Sequence, residues 1–114
     1  MSIIINRCTI KMSTPPSIKA FASVAGKKES EGPLGSCFDI TENDAYFGQD
    51  TFEKAESELQ KSTINLVLEK ASLQPTDINF MFAGDLLNQC IGTTFGIRQL
   101  NIPFFGVYGA CSTM

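Results

Sequence analysis

Two short apolar runs, each preceded by a proline, constrain the fold of this chain most strongly. They are "INFMFAG" at residues 78–84 and "FFGVYGA" at residues 104–110, and Pro75 and Pro103 stand shortly before them. A nearly continuous apolar run of this length is typical of a strand covered on both faces, because both of its alternating sides avoid water. A segment with helical spacing separates the two runs. Strands that alternate with helices predict a parallel sheet with right-handed crossover connections.

Two helices are predicted from the spacing of apolar residues. The first covers residues 51–73, with a possible capping box formed by Asp50 and Glu53. Its apolar residues fall near one face, and the Glu and Lys side chains between residues 53 and 61 form the opposite, solvated face. The second helix is predicted over residues 86–101, although this segment contains two glycines. The members of the first apolar face are Phe52, Ala55, Leu59, Leu66 and Val67.

The chain upstream of these elements is less regular. Residues 1–17 are predicted to form an irregular arm, because Pro15 and Pro16 forbid regular helix there. Alternation of apolar and polar residues predicts a strand over 18–24, and "EGPLG" at 31–35 supplies turn residues within a loop. The predicted fold is therefore a single α/β domain, with the arm at 1–17 and the α/β part at 18–114.

Composition excludes several classes of function. The chain has 114 residues, 43% hydrophobic and 18% charged, as expected of one globular domain. Its net charge of −3 comes without a basic block, so no nucleic-acid partner is predicted. No apolar stretch approaches the roughly 20 residues that span a bilayer.

Cysteine and histidine content bears on metal sites and disulfides. The four cysteines show no C-x-x-C pair and the chain has no histidine, so a zinc site lacks a ligand set. The cysteines are predicted to be reduced thiols of a cytoplasmic protein, with two disulfides as the alternative.

Candidate site residues lie where the two apolar strands end. Gly84 and Asp85 follow the first run, and residues 109–111, which end on Cys111, follow the second. Ligands of parallel sheets gather at the carboxyl ends of strands, so Asp85 and Cys111 are predicted to line one pocket. Asp85 is alternatively the N-cap of the following helix, and Cys111 alternatively a small buried thiol at a strand end. The N-cap and the pocket roles of Asp85 are compatible.

Catalysis by Cys111 is not favoured by the sequence. A cysteine on a tight strand-to-helix turn is activated by the helix that follows it, but only three residues follow Cys111 here. The absence of histidine also removes the usual Cys-His pairing within this chain. The sequence therefore predicts that the chain is not an enzyme.

With these residues in view, the chain from about Gly26 to Met114 resembles the N-terminal part of the stage V sporulation protein AD family. That family has a thiolase-like fold, so the resemblance implies part of such a fold, a mostly parallel sheet with crossover helices. The first 25 residues match weakly. The resemblance rests on "EGPLG" at 31–35, "AGDLLNQ" at 83–89, "RQLNIPF" at 98–104 and "GACST" at 109–113.

The resemblance implies a function in the developing spore. Family members act as the soluble component of a membrane transport system that binds dipicolinic acid, as its calcium chelate. The expected partners are this ligand and other proteins of the spore membrane transport system, with a cytoplasmic location peripheral to the inner membrane. No cofactor is implied, and calcium would arrive as part of the ligand. The ligand-binding residues implied are Asp85, Cys111, Gly84 and Asn88.

Family members are several times longer than this chain, which is therefore expected to be a fragment or a truncated paralogue. A parallel sheet cut after its early strands leaves open edges and an uncovered apolar face. We therefore expect a homo-oligomer or a complementary partner chain. Two alternatives to ligand binding remain: an interaction or vestigial module without its own ligand, and a thiolase-like acyl transferase that uses Cys111.

Overall fold

A computed structural model describes residues 3–86 and 88–113, apart from the side chains of Asn88 and Ala110. Within these residues the chain forms short strands, two short helices and one long helix, so the predicted α/β class is confirmed at that level. In chain order the elements are β1 (Ile3–Asn6), β2 (Thr9–Lys11), β3 (Val24–Ala25), α1 (Lys27–Ser30), β4 (Ile40–Thr41), α2 (Phe52–Ala71), β5 (Met81–Ala83), α3 (Ile91–Ile97) and β6 (Phe104–Gly106).

The strands pair two by two. β1 and β2 form an antiparallel hairpin, whereas β3 pairs with β4 and β5 pairs with β6 in parallel. Parallel pairing of the two apolar runs was predicted and is confirmed. Among the described residues the predicted parallel sheet is divided into separate two-stranded sheets, because no hydrogen bonds join β3–β4 to β5–β6.

Helix α2 is the longest element and begins one residue later than its predicted capping box. Thr51 is the N-cap, and its hydroxyl oxygen accepts a hydrogen bond from the Lys54 N–H at 3.3 Å. Asp50 instead forms an ion pair with Lys54 at 2.8 Å. At the other end Ser72 adopts a left-handed φ of 54°, and its N–H donates to the carbonyl of Glu69. The helix therefore ends before Pro75, as predicted.

Helix α3 packs closely against α2 through two glycines. A Cβ on Gly96 would lie 2.6 Å from the Ser57 carbonyl oxygen, so only glycine permits this approach without a shift of backbone. The Ser57 hydroxyl donates to the Gly92 carbonyl at 2.9 Å and ties the same two helices. The second predicted helix is confirmed but is shorter, since 3-10 turns at Asn88–Cys90 and Arg98–Leu100 flank it.

The upstream region differs most from the sequence-based expectation. The predicted irregular arm contains the β1–β2 hairpin, whose turn is held by the Asn6 side chain accepting the Cys8 N–H at 2.9 Å. The strand predicted over 18–24 is confined to its end, in β3, and Ile18 is 87% exposed. Alternation alone does not make a strand there, because the preceding residues find no partner strand.

The β5–β6 pair leaves three phenylalanines largely exposed. Phe80, Phe82 and Phe105 are 54%, 69% and 58% exposed. The rings of Phe82 and Phe105 stack at 5.3 Å between centroids, and the Phe80 ring is perpendicular to both, at 5.8 Å and 6.0 Å. We call these three rings the aromatic face. Both apolar runs were predicted to be strands covered on both faces, and that prediction is wrong on this side of the pair, because none of the described residues covers these rings.

Candidate functional site

The carboxyl ends of β5 and β6 lie side by side, as predicted. Ala83 pairs with Gly106, and the Val107 N–H continues the ladder by donating to the Ala83 carbonyl at 2.8 Å. The two candidate segments therefore leave the same edge of one parallel pair. This places the start of "AGDLLNQ" beside the residues that lead from β6 into "GACST".

Gly84 is where these two segments touch. A Cβ at this position would collide with the Val107 carbonyl and with the Thr113 methyl group. The Thr113 hydroxyl also hydrogen-bonds to the Asp85 carbonyl at 3.4 Å and accepts the Gly109 N–H at 3.2 Å. Thr113 therefore links the two segments, although sequence reasoning did not single it out.

The Asp85 carboxylate is buried, with only 5% of the residue exposed. Its Oδ2 accepts the Thr93 N–H at 2.7 Å, and Thr93 is itself fully buried. Among the described residues, neither Asp85 Oδ1 nor the Thr93 hydroxyl has a hydrogen-bond partner. The site therefore contains two buried polar atoms in need of a partner, which is uncommon in folded proteins.

Asp85 accepts a hydrogen bond at the start of a helix, but it is not the N-cap residue that was predicted. The N-cap of α3 is Cys90, and Asp85 reaches the third N–H of that helix from eight residues upstream. This is possible because Gln89 and Cys90 adopt left-handed φ values of 64° and 55°, which turn the chain back before α3. The carboxylate satisfies an N–H that has no partner within the helix, which stabilises the helix N-terminus.

Glu56 approaches Asp85 from α2 and was missed by sequence reasoning, which assigned it to the solvated helix face. Its Oε1 accepts the Leu86 N–H at 3.3 Å. Burial raises the pKa of the Glu56 carboxyl; the Leu86 N–H opposes this rise, and the nearby Asp85 charge adds to it. The available sequence signal was position, because Glu56 borders the apolar face between Ala55 and Leu59.

Cys111 is exposed and lies in a 3-10 turn at Ala110–Ser112. The alternative of a buried thiol at the strand end is therefore wrong for Cys111. The buried thiol is that of Cys90, the N-cap of α3, which donates to the Val107 carbonyl at 3.6 Å. Cys8, Cys37, Cys90 and Cys111 are all free. Cys111 and Asp85 thus belong to touching segments, with one side chain exposed and the other buried.

Comparison with known proteins decides the family. The family model of Stage V sporulation protein AD matches residues 6–114. Stage V sporulation protein AD of Bacillus subtilis (strain 168) is 41% identical over 99 residues, which are 87% of this chain and 29% of that protein. The chain belongs to the stage V sporulation protein AD family.

Family membership extends further upstream than the sequence motifs suggested. The match begins at residue 6, within β1, whereas the motifs placed the start of the resemblance at about Gly26. Asp85 and Cys111 both lie inside the matched range. The chain spans less than a third of the length of the curated relative that it matches.

Neither a membrane span nor a metal centre is formed by the described residues. They contain no helix long and apolar enough to cross a membrane, and no group of three or more Cys, Asp or Glu side chains arranged to hold a metal ion. The side chain of Asn88, the fourth predicted ligand-binding residue, lies outside the described part of the chain, although its backbone begins the 3-10 turn before α3.

Proposed function

We propose that this chain contributes a non-catalytic binding site for dipicolinic acid, taken as its calcium chelate, at the carboxyl ends of β5 and β6. The observation that carries the proposal is the contact between the Asp85 and Cys111 segments at one edge of this parallel pair. Such an edge is the usual place for a ligand in this type of sheet.

The two side chains have different roles in this proposal. Cys111 is exposed and is the residue that a ligand reaches directly. Asp85 is buried and holds α3 through Thr93, so it shapes the floor of the site, and its Oδ1, which has no hydrogen-bond partner among the described residues, is the oxygen that we propose for the bound chelate. A carboxylate repels an anionic ligand unless a cation lies between them, so we expect binding to depend on calcium.

Calorimetric titration of dipicolinate into the 114-residue chain, with and without calcium, tests the proposal. The variants are Cys111→Ala and Asp85→Asn, since asparagine keeps an oxygen that can accept the Thr93 N–H but loses the charge. Cys37→Ala is the matched control, because Cys37 is also an exposed free thiol in a 3-10 turn.

Saturable, calcium-dependent binding that weakens in Cys111→Ala and Asp85→Asn but not in Cys37→Ala is the expected result. Binding that ignores both calcium and Asp85→Asn would contradict the role assigned to the carboxylate. A folded chain that does not bind the chelate at all would overturn the proposed function.

We place the protein on the cytoplasmic side, peripheral to the inner membrane of the developing spore, together with the membrane proteins of the transport system. The family name, that of a sporulation protein, supports this setting. Fractionation of sporulating cells with an antibody to the chain checks it, and recovery in the mother-cell fraction alone would contradict it.

The aromatic face favours a second role as an interaction module. Three largely exposed phenylalanines in mutual ring contact form an apolar patch of a kind that soluble proteins usually cover. The occupant that we propose is a second copy of the chain. In light scattering, Phe82→Gln is then expected to shift the chain toward monomer, whereas Phe21→Gln, which alters an exposed ring beneath Lys70, is not. A monomeric parent chain at high concentration would exclude this role.

A further inference from the structure

We propose that Glu56 is a positioning residue of the ligand site, which holds the segment that carries Asp85 against helices α2 and α3. The inference rests on the proposed function, because it explains how the binding segment is kept in place. In this proposal Glu56 holds the binding segment in place and does not itself contact the ligand.

A hydrogen bond from the Leu86 N–H to Glu56 Oε1, at 3.3 Å, ties the binding segment to α2. Leu86 directly follows Asp85, so this bond holds the peptide group that joins the two residues. The Thr113 hydroxyl donates to the carbonyl of the same peptide group, that of Asp85, at 3.4 Å. Asp85 is therefore held between α2 and the "GACST" segment.

The carboxyl groups of Asp85 and Glu56 pack on the same small residue of α3. A Cβ built on Gly92 would lie 3.2 Å from Asp85 Oδ2 and 3.2 Å from Glu56 Cδ. Ser57, the neighbour of Glu56, ties α2 to the Gly92 carbonyl at 2.9 Å. Glu56 is thus attached to a fixed point on the helix that Asp85 caps.

The charge of Asp85 also affects Glu56. Asp85 is the titratable group that faces Glu56 from the binding segment, and α3 carries no titratable residue between Ile91 and Ile97. On α2 the neighbouring acids are Glu53 and Glu58, three residues before and two residues after Glu56. Burial and the Asp85 charge both favour the protonated form of Glu56, and thus raise its pKa. A neutral Glu56 still accepts the Leu86 N–H while it spares Asp85 a second negative charge.

Two measurements on the 114-residue chain test the inference. The first follows the amide resonance of Leu86 by NMR as a function of pH, without ligand. The second is the calorimetric titration with calcium and dipicolinate. The variants are Glu56→Ala, which removes the acceptor, and Glu56→Gln, which keeps an acceptor but cannot ionise. Glu69→Gln is the matched control, since Glu69 lies exposed on the same helix.

We expect the Leu86 amide shift to titrate with a midpoint above the ordinary glutamate pKa of 4.5. The titration should vanish in Glu56→Gln, persist in Glu69→Gln and move to lower pH in Asp85→Asn. Glu56→Ala should weaken binding of the chelate about tenfold, within the usual effect of losing one hydrogen bond, and Glu56→Gln should restore it.

A Leu86 amide that titrates unchanged in Glu56→Gln, or parental affinity in a folded Glu56→Ala variant, would overturn the inference. Failure of the proposed function has a different signature, in which the parent chain does not bind the chelate. In that event the Leu86 titration and its response to Asp85→Asn still decide whether Glu56 positions this segment.

Discussion

Replacing Gly96 by alanine tests whether the α2–α3 contact sets the geometry below the site. The new Cβ would lie 2.6 Å from the Ser57 carbonyl oxygen, against the 3.4 Å at which ordinary contacts begin. The two helices must therefore separate by about 0.8 Å, and overpacking of this kind costs about 1–3 kcal/mol. Alanine recovers about 1 kcal/mol through its helix propensity. We expect a net loss of up to about 2 kcal/mol in the free energy of unfolding.

Gly92→Ala is the matched comparison for this variant. It gains the same helix propensity in the same helix, but its nearest neighbours are the Asp85 and Glu56 side chains at 3.2 Å, which can adjust. Urea denaturation followed by circular dichroism, at equal protein concentration, measures the free energy of unfolding of each variant. A Gly96→Ala chain at least as stable as Gly92→Ala would refute the reasoning.

Two further predictions concern helix α2. Thr51→Ala removes the side-chain acceptor of the Lys54 N–H, and we expect it to lower the free energy of unfolding by about 1 kcal/mol in the same urea assay, with Thr76→Ala as an exposed control. Glu56→Gln should stabilise the chain at pH 7. Because the folded-state pKa of Glu56 is raised, the folded chain binds more protons above pH 4.5, and stability falls as pH rises through that range. The gain from glutamine should therefore disappear below pH 4.5, and an equal gain at pH 3.5 and pH 7 would contradict this account.

The sequence contains enough information for the elements around the site. Helix α2 combines an apolar face with a polar N-cap and a proline after its end, and each signal acts within a few residues. The β5 and β6 runs are short, apolar and preceded by prolines, so their parallel pairing followed from the helix between them. Placing Asp85 beside the "GACST" segment needed only that pairing.

The predictions that were wrong all concern packing between segments that are distant in the sequence. Burial of Phe105 was inferred from its own apolar run, but burial depends on a covering layer, and local sequence says nothing about whether one is present. Glu56 was assigned to solvent for the opposite reason, since a charged residue on a polar stripe gives no sign of the loop that folds onto it. The Gly92 and Gly96 spacing was the one local signal of close packing, and it was read only as a weakness in the helix.

The bond between Asp85 and Thr93 gives position 85 two constraints at once, since one carboxylate oxygen caps α3, while the other, which has no hydrogen-bond partner among the described residues, is the one that we propose for the ligand. A replacement here alters the secondary structure and the ligand pocket together. Natural variation at this position is therefore expected to be narrow, and where it occurs, compensating changes should appear at positions 56 and 93. Loss of spore function in an Asp85 variant would by the same logic identify a faulty helix as readily as a missing ligand contact.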